Sequence, residues 1–151
     1  KKVGIHLSIV QQCLDSQKEY LTNFYNTQKI DNEVFTFRSD ITQIFKNTSF
    51  VITRGGASAQ AELINCNIPY IVVPLKNSTD DHQFENASYY KKKGCNFLVI
   101  EEEIETKLLD LIKMIDKDKT KLYEIVQNQK KLFNQNVLKN ADNQINMIIN
   151  K

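Results

Sequence analysis

Two short segments hold the residues whose types and spacing could do chemistry: TRGGASAQAEL, Thr53 to Leu63, and NSTDDHQFENA, Asn77 to Ala87. The chain has four glycines, and two of them, Gly55 and Gly56, stand side by side in the first segment. They follow an apolar run, Phe50, Val51 and Ile52, and precede a stretch that reads as a helix. Glycine reaches backbone angles closed to other residues and lets a ligand approach the main chain. A helix start just beyond it offers unpaired N–H groups and the positive end of the helix dipole, which suits a phosphate. A tight turn required only by packing explains the same pair equally well. Glu62 lies about one turn into this helix, where its carboxylate could accept hydrogen bonds from a ribose diol. The helix dipole favours a glutamate there without any ligand.

In the second segment His82, Gln83 and Asn86 open a helix, with Gln83 and Asn86 at i and i+3 on one face. Side-chain amides both donate and accept, as recognition of sugar hydroxyls requires. Asp80 and Asp81 are natural N-cap residues. An acidic pair beside a histidine suggests a metal, but there is no second ligand cluster, so no metal site is expected.

Alternating periods place these segments. Val3, Ile5, Leu7 and Ile9 fall at every second position and predict a strand. Asp15 or Ser16 caps a helix with Tyr20, Leu21, Phe24 and Tyr25 on one face. A strand over Glu33–Phe37 follows, then a short helix with Ile41, Ile44 and Phe45 capped by Ser39 or Asp40. A third strand, Ser49–Thr53, runs into the glycines and a helix over Ser58–Asn65. Tyr70–Pro74 is apolar throughout, like a strand buried on both faces of a parallel sheet. The polar loop Lys76–Asp81 leads to a helix over His82–Lys93 ended by Gly94. Asn96–Ile100 is the last strand. Leu108, Leu109, Ile112 and Ile115 form a helical stripe beyond Ile104, and further helices cover Lys119–Asn134 and Leu138–Asn150. Strands separated by single helices predict a Rossmann-like α/β fold, a parallel sheet with helices on both faces. In such sheets ligands bind at the carboxyl ends of the strands, where Gly55 and Gly56 fall.

The 151 residues are expected to form one domain, and the net charge of +2 gives no reason to expect a nucleic-acid partner. Cys13, Cys66 and Cys95 are scattered, as in a reduced, cytoplasmic protein. No apolar run approaches the ~20 residues that span a bilayer. The chain opens on Lys1-Lys2 rather than methionine, which suggests a piece of a longer protein.

TRGGASAQAEL, then IPYIVVPL, then DDHQFENA, with paired Pro69 and Pro74, resemble the C-terminal donor-binding domain of the MurG-like UDP-N-acetylglucosamine transferases, glycosyltransferase family 28. The resemblance covers nearly the whole chain and is concentrated between Arg54 and Ala87. It implies the C-terminal half of a metal-independent, inverting GT-B enzyme of peptidoglycan synthesis. Such an enzyme moves N-acetylglucosamine from UDP-GlcNAc onto lipid I to give lipid II at the inner face of the plasma membrane, with no cofactor. The acceptor site, the membrane-facing surface and the general base belong to the family's N-terminal domain, so no catalytic residue is assigned here. The resemblance further implies that Glu62 holds the uridine ribose and that Ala57, Ser58 and Ala59 lie beside the diphosphate with Gly55 and Gly56. His82 and Gln83 would contact the sugar, and Asn86 would support that helix start. Arg38 falls where main-chain atoms recognise uracil, and Arg54 either balances charge or forms an internal ion pair. Many relatives carry threonine where this chain has Ala59, and a Gly-rich loop expected upstream is missing. Two other readings are a separate donor subunit of a two-subunit UDP-GlcNAc transferase and a non-catalytic nucleotide-sugar-binding module.

Overall fold

The computed structural model describes residues 5–76 and 81–133. It resolves into two compact units, Lys1–Ile44 and Phe45–Lys151. The first holds strand β1, Ser8–Gln12, helix α1, Asp15–Thr27, strand β2, Asp31–Phe35, and most of the short helix α2, Ile41–Phe45. β1 and β2 pair in parallel, Ser8 opposite Asp31 through Gln12 opposite Phe35. Both strands sit off their expected positions. Among the described residues Ile5 to Leu7 lie outside β1, although their alternation reads as strand. The pairing partner sets the ends, and it brings two polar residues into the strand. Gln12 donates from Nε2 to the Thr36 carbonyl at 3.0 Å, and Gln11 accepts from the Tyr25 hydroxyl. Leu14, not Asp15 or Ser16, is the N-cap of α1, and its N–H donates to Oε1 of Gln17 at 3.2 Å.

The second unit carries a three-stranded parallel sheet in the order β3 (Val51–Thr53), β4 (Tyr70–Val72), β5 (Phe97–Leu98). The central strand β4 is fully buried, as its unbroken apolar run predicts. Its residues alternate between two cores, because successive side chains leave opposite faces of a strand. Tyr70 and Val72 join Leu63, Ile64 and Ala87, which come from helix α3 (Ala57–Asn65) and helix α4 (His82–Lys92), with Leu132 of helix α6 (Thr120–Phe133). Ile71 and Val73 join Val99 and Ile115, the latter from helix α5 (Leu109–Lys117). Helices thus cover both faces. Gly94 ends α4 at φ +68°, as its place in the sequence predicts. Asp81, the N-cap of α4, also lies in the left-handed region at φ 54°, a conformation aspartate tolerates.

The stripe expected after Ile104 is rearranged. Glu101–Glu103 form a 3-10 turn and Ile104–Leu108 a wider π-type turn before α5. The wider turn takes an extra residue and shifts the register of all that follows. Ile104, Leu108, Leu111, Met114 and Ile115 therefore face the core while Leu109 is exposed. The helix expected over Leu138–Asn150, like Asp80, lies outside the described residues.

Burial pushes the ionisations of Tyr70, Tyr90 and the Cys95 thiol upward. The fold favours their neutral forms, so this stabilisation is intact below the unfolded-chain values. It declines as pH passes the ordinary thiol value of 9.0 and phenol value of 10.0, until the folded groups ionise. The melting temperature is expected to fall with rising pH in this alkaline range, and to fall less steeply in Cys95→Ala. Calorimetric melting across the range checks both. A Cys95→Ala slope equal to that of the wild type removes the thiol from the account.

Candidate functional site

The glycine pair sits where the sequence places it, between the end of β3 and the start of α3. Of the two reasons open for the glycines, packing holds at Gly55, and special backbone angles hold at neither. Neither residue adopts a left-handed φ; among the described residues only Gly94 does so as a glycine. At Gly55 the constraint is steric, since a Cβ built there would lie 2.4 Å from the Gln83 carbonyl oxygen and 2.8 Å from the Gln83 Cβ. The first turn of α4 comes too close to admit any side chain. Gly56 is the opposite case. It is the N-cap of α3, with φ −61° and ψ 135°, and a Cβ there would meet nothing within 4 Å. Open space thus adjoins the helix N-terminus. Ala57, Ser58 and Ala59 form the exposed first turn beyond it, and Glu62 is exposed on the next.

Gln83, expected as a sugar contact, binds the protein itself. Its Oε1 accepts from the Gly55 N–H and the Leu75 N–H, each at 3.1 Å. One amide oxygen thereby ties together the chain segments that leave β3 and β4. His82 is exposed and Asn86 half-buried on the same opening turns of α4.

Arg54 forms the internal ion pair that its place allowed. Nη1 lies 2.6 Å from Oε1 of Glu101, just beyond β5, and 3.3 Å from the Val73 carbonyl. Glu101 also accepts from the Lys76 N–H at 3.4 Å, and the Lys76 ammonium pairs with Glu102 at 2.5 Å. Hydrogen bonding from Arg54 holds the Glu101 carboxyl below the usual carboxylate range, and Lys76 does the same for Glu102. The ends of all three strands are therefore bridged by charge. Beside them Leu75, Phe84 and Ile100 wall a shallow hollow of about 170 Å³.

Arg38 belongs to the first unit. Asp40 holds its guanidinium in a bidentate pair at 2.8 and 2.7 Å, and Glu33 takes Nη1. These partners, Asp40 foremost, raise the Arg38 ionisation, and Arg38 in turn lowers that of Asp40. Its side chain is engaged in local structure.

Among the described residues no cluster of histidine, cysteine and carboxylate groups could hold a metal. The three cysteines are free. No described helix is long and apolar enough to cross a membrane.

One buried residue bonded to the glycine pair is not among the expected site residues. Gln60 is fully buried in α3, and its Nε2 donates to the Gly55 carbonyl at 3.0 Å. A signal existed, because Gln60 shares the buried helical face with Leu63 and Ile64, where an amide needs partners inside the protein.

Fold and site together define a parallel α/β unit whose open strand ends adjoin a glycine-led helix N-terminus. Residues 1–144 match the glycosyltransferase family 28 C-terminal domain. The chain belongs to that family. It is 36% identical over 148 residues to the UDP-N-acetylglucosamine--N-acetylmuramyl-(pentapeptide) pyrophosphoryl-undecaprenol N-acetylglucosamine transferase of Pelagibacter ubique, covering 96% of this chain and 41% of the relative. With the protein of the same name from Rickettsia bellii the identity is 30% over 141 residues, covering 92% and 37%. The crystal structure of Acinetobacter baumannii MurG shares the fold, with a TM-score of 0.74 at 21% identity over 86% of this chain and 38% of that one. The chain thus spans about two fifths of the length of the curated relatives it matches.

Proposed function

We propose that the chain is the UDP-GlcNAc-binding domain of a hexosyltransferase that adds N-acetylglucosamine to an undecaprenol-linked muramyl pentapeptide, turning lipid I into lipid II. The single observation that carries the reading is the N-terminus of α3. Gly56 opens it to unoccupied space, and Glu62 stands exposed one turn further along. The N–H groups from Gly56 to Ala59 take the diphosphate, and the helix dipole stabilises the charge that builds on the departing UDP. Main-chain donation makes the absent threonine hydroxyl at Ala59 dispensable. Glu62 accepts from the ribose diol. His82 and Gln83 lie toward the sugar, and Asn86 supports that helix start. Arg54 adds positive charge at the end of β3, shared with Glu101. The acceptor hydroxyl attacks the anomeric carbon, the bond to UDP breaks, and the configuration inverts. The group that removes the acceptor's proton and the surface that meets the lipid belong to the part of the enzyme outside this chain. A lipid-linked acceptor places the whole enzyme at the cytoplasmic face of the plasma membrane.

Calorimetric titration with UDP-GlcNAc, UDP-glucose and UDP tests the reading. UDP and both sugars are expected to bind, UDP-GlcNAc more tightly than UDP-glucose. Glu62→Ala removes a charged acceptor and is expected to weaken UDP by roughly tenfold or more. A folded chain that binds none of the three overturns the donor assignment, and unchanged UDP affinity in Glu62→Ala overturns the ribose assignment alone.

A further inference from the structure

Gly55 is held from both sides. Its N–H donates to Gln83 at 3.1 Å, and its carbonyl accepts from Nε2 of Gln60 at 3.0 Å. Gln60 is itself fixed from behind. Its Oε1 accepts from the Tyr70 hydroxyl of β4 at 3.2 Å and from Nδ2 of Asn96, at the entry to β5, at 3.4 Å. Nδ2 of Asn96 also donates to the Ala87 carbonyl in α4 at 3.1 Å. Gln60, Tyr70 and Asn96 are all buried. A chain of amides therefore runs from the sheet to one peptide, that joining Gly55 to Gly56.

A trans peptide is planar, and its N–H points opposite to its C=O. Fixing the Gly55 oxygen toward the core thus fixes the Gly56 N–H away from it, at the head of α3. We propose that Gln60 is a positioning residue for the donor diphosphate, aiming the Gly56 N–H from inside the protein without touching the ligand; this rests on the donor-binding reading above. The device is preorganisation. An N–H already aimed loses no orientational freedom when the anion arrives.

The test compares UDP with uridine, which shares the ribose and base but has no phosphate. Gln60→Met keeps the side chain's length and removes its donor. UDP affinity is expected to fall roughly tenfold, the equivalent of one misaimed charge-assisted hydrogen bond, while uridine affinity holds. Equal loss of both ligands means general damage to the fold and overturns the proposal, as does no loss of either. Tyr70→Phe leaves Gln60 in place with one orienting donor fewer, and is expected to shift UDP alone in the same direction by a smaller factor. It keeps the comparison open if Gln60→Met does not fold. The backbone N–H order parameter of Gly56 from NMR relaxation, measured without ligand, separates the two readings. If the wild-type chain binds no UDP, the donor reading fails. A lower order parameter at Gly56 in either variant still supports the positioning role, and an unchanged one overturns it.

Discussion

Gly55→Ala is expected to lower stability by about 3–5 kcal/mol and to remove measurable UDP binding. The new methyl would sit 2.4 Å from the Gln83 carbonyl oxygen, a backbone atom in the first turn of α4 that cannot rotate aside. Overpacking of this kind costs about 1–3 kcal/mol. Moving α4 away also breaks the bonds from Gly55 and Leu75 to Gln83, each worth about 1 kcal/mol net. Gly56→Ala is the matched control. Its φ of −61° suits alanine, and its Cβ direction is open. Alanine is a clearly poorer N-cap than glycine, while the unfolded chain loses entropy worth about 0.4–1 kcal/mol. The two effects oppose, so stability stays within about 1 kcal/mol of wild type. The methyl nevertheless stands where the diphosphate would lie, and UDP binding is expected to weaken. Urea unfolding and calorimetric titration of both variants read the contrast. Wild-type stability in Gly55→Ala sinks the steric account, and full UDP affinity in Gly56→Ala moves the diphosphate elsewhere.

This pair also marks how far the sequence could be read. The position of Gly55-Gly56 at a strand-to-helix junction is a local pattern, and so are the apolar run of β4 and the Gly94 cap; all three are legible. The reason for Gly55 is not, because the atoms that forbid its side chain belong to Gln83, 28 residues away. Gln83 reads as a ligand contact from its type and spacing, yet its oxygen is engaged with two main-chain N–H groups brought to it only by folding. The position of β1 fails for a similar reason. Alternation marks a residue's face in any extended segment, whereas strand ends are set by the partner, here β2 from Asp31. Leu109 is lost from the core stripe because one wide turn breaks the helical period on which the stripe was counted.

Gln129→Ala should destabilise the fold as severely as Gly55→Ala, and yet leave the site alone. Gln129, fully buried in α6, donates from Nε2 to the Ile68 carbonyl at 2.9 Å and the Cys95 carbonyl at 3.0 Å. Those residues lead into β4 and β5, so the amide ties the amino ends of the strands, opposite the end at which Gly56 lies. Truncation leaves both carbonyls without this donor and opens a cavity, together about 3–4 kcal/mol. Gln129→Met keeps the volume. It also removes Oε1, a buried acceptor with no partner among the described residues, so its cost is smaller, about 1–2 kcal/mol. UDP affinity should change by no more than about twofold in either variant, since Gln129 bonds to neither Gly55 nor Gln60 and meets their network only through the peptide that precedes Asn96. Melting temperatures paired with UDP titrations make the comparison. If Gln129→Met weakens UDP as strongly as Gln60→Met does, affinity follows the general firmness of the sheet. If only Gln60→Met weakens it, the diphosphate is read by one peptide whose direction a buried amide sets.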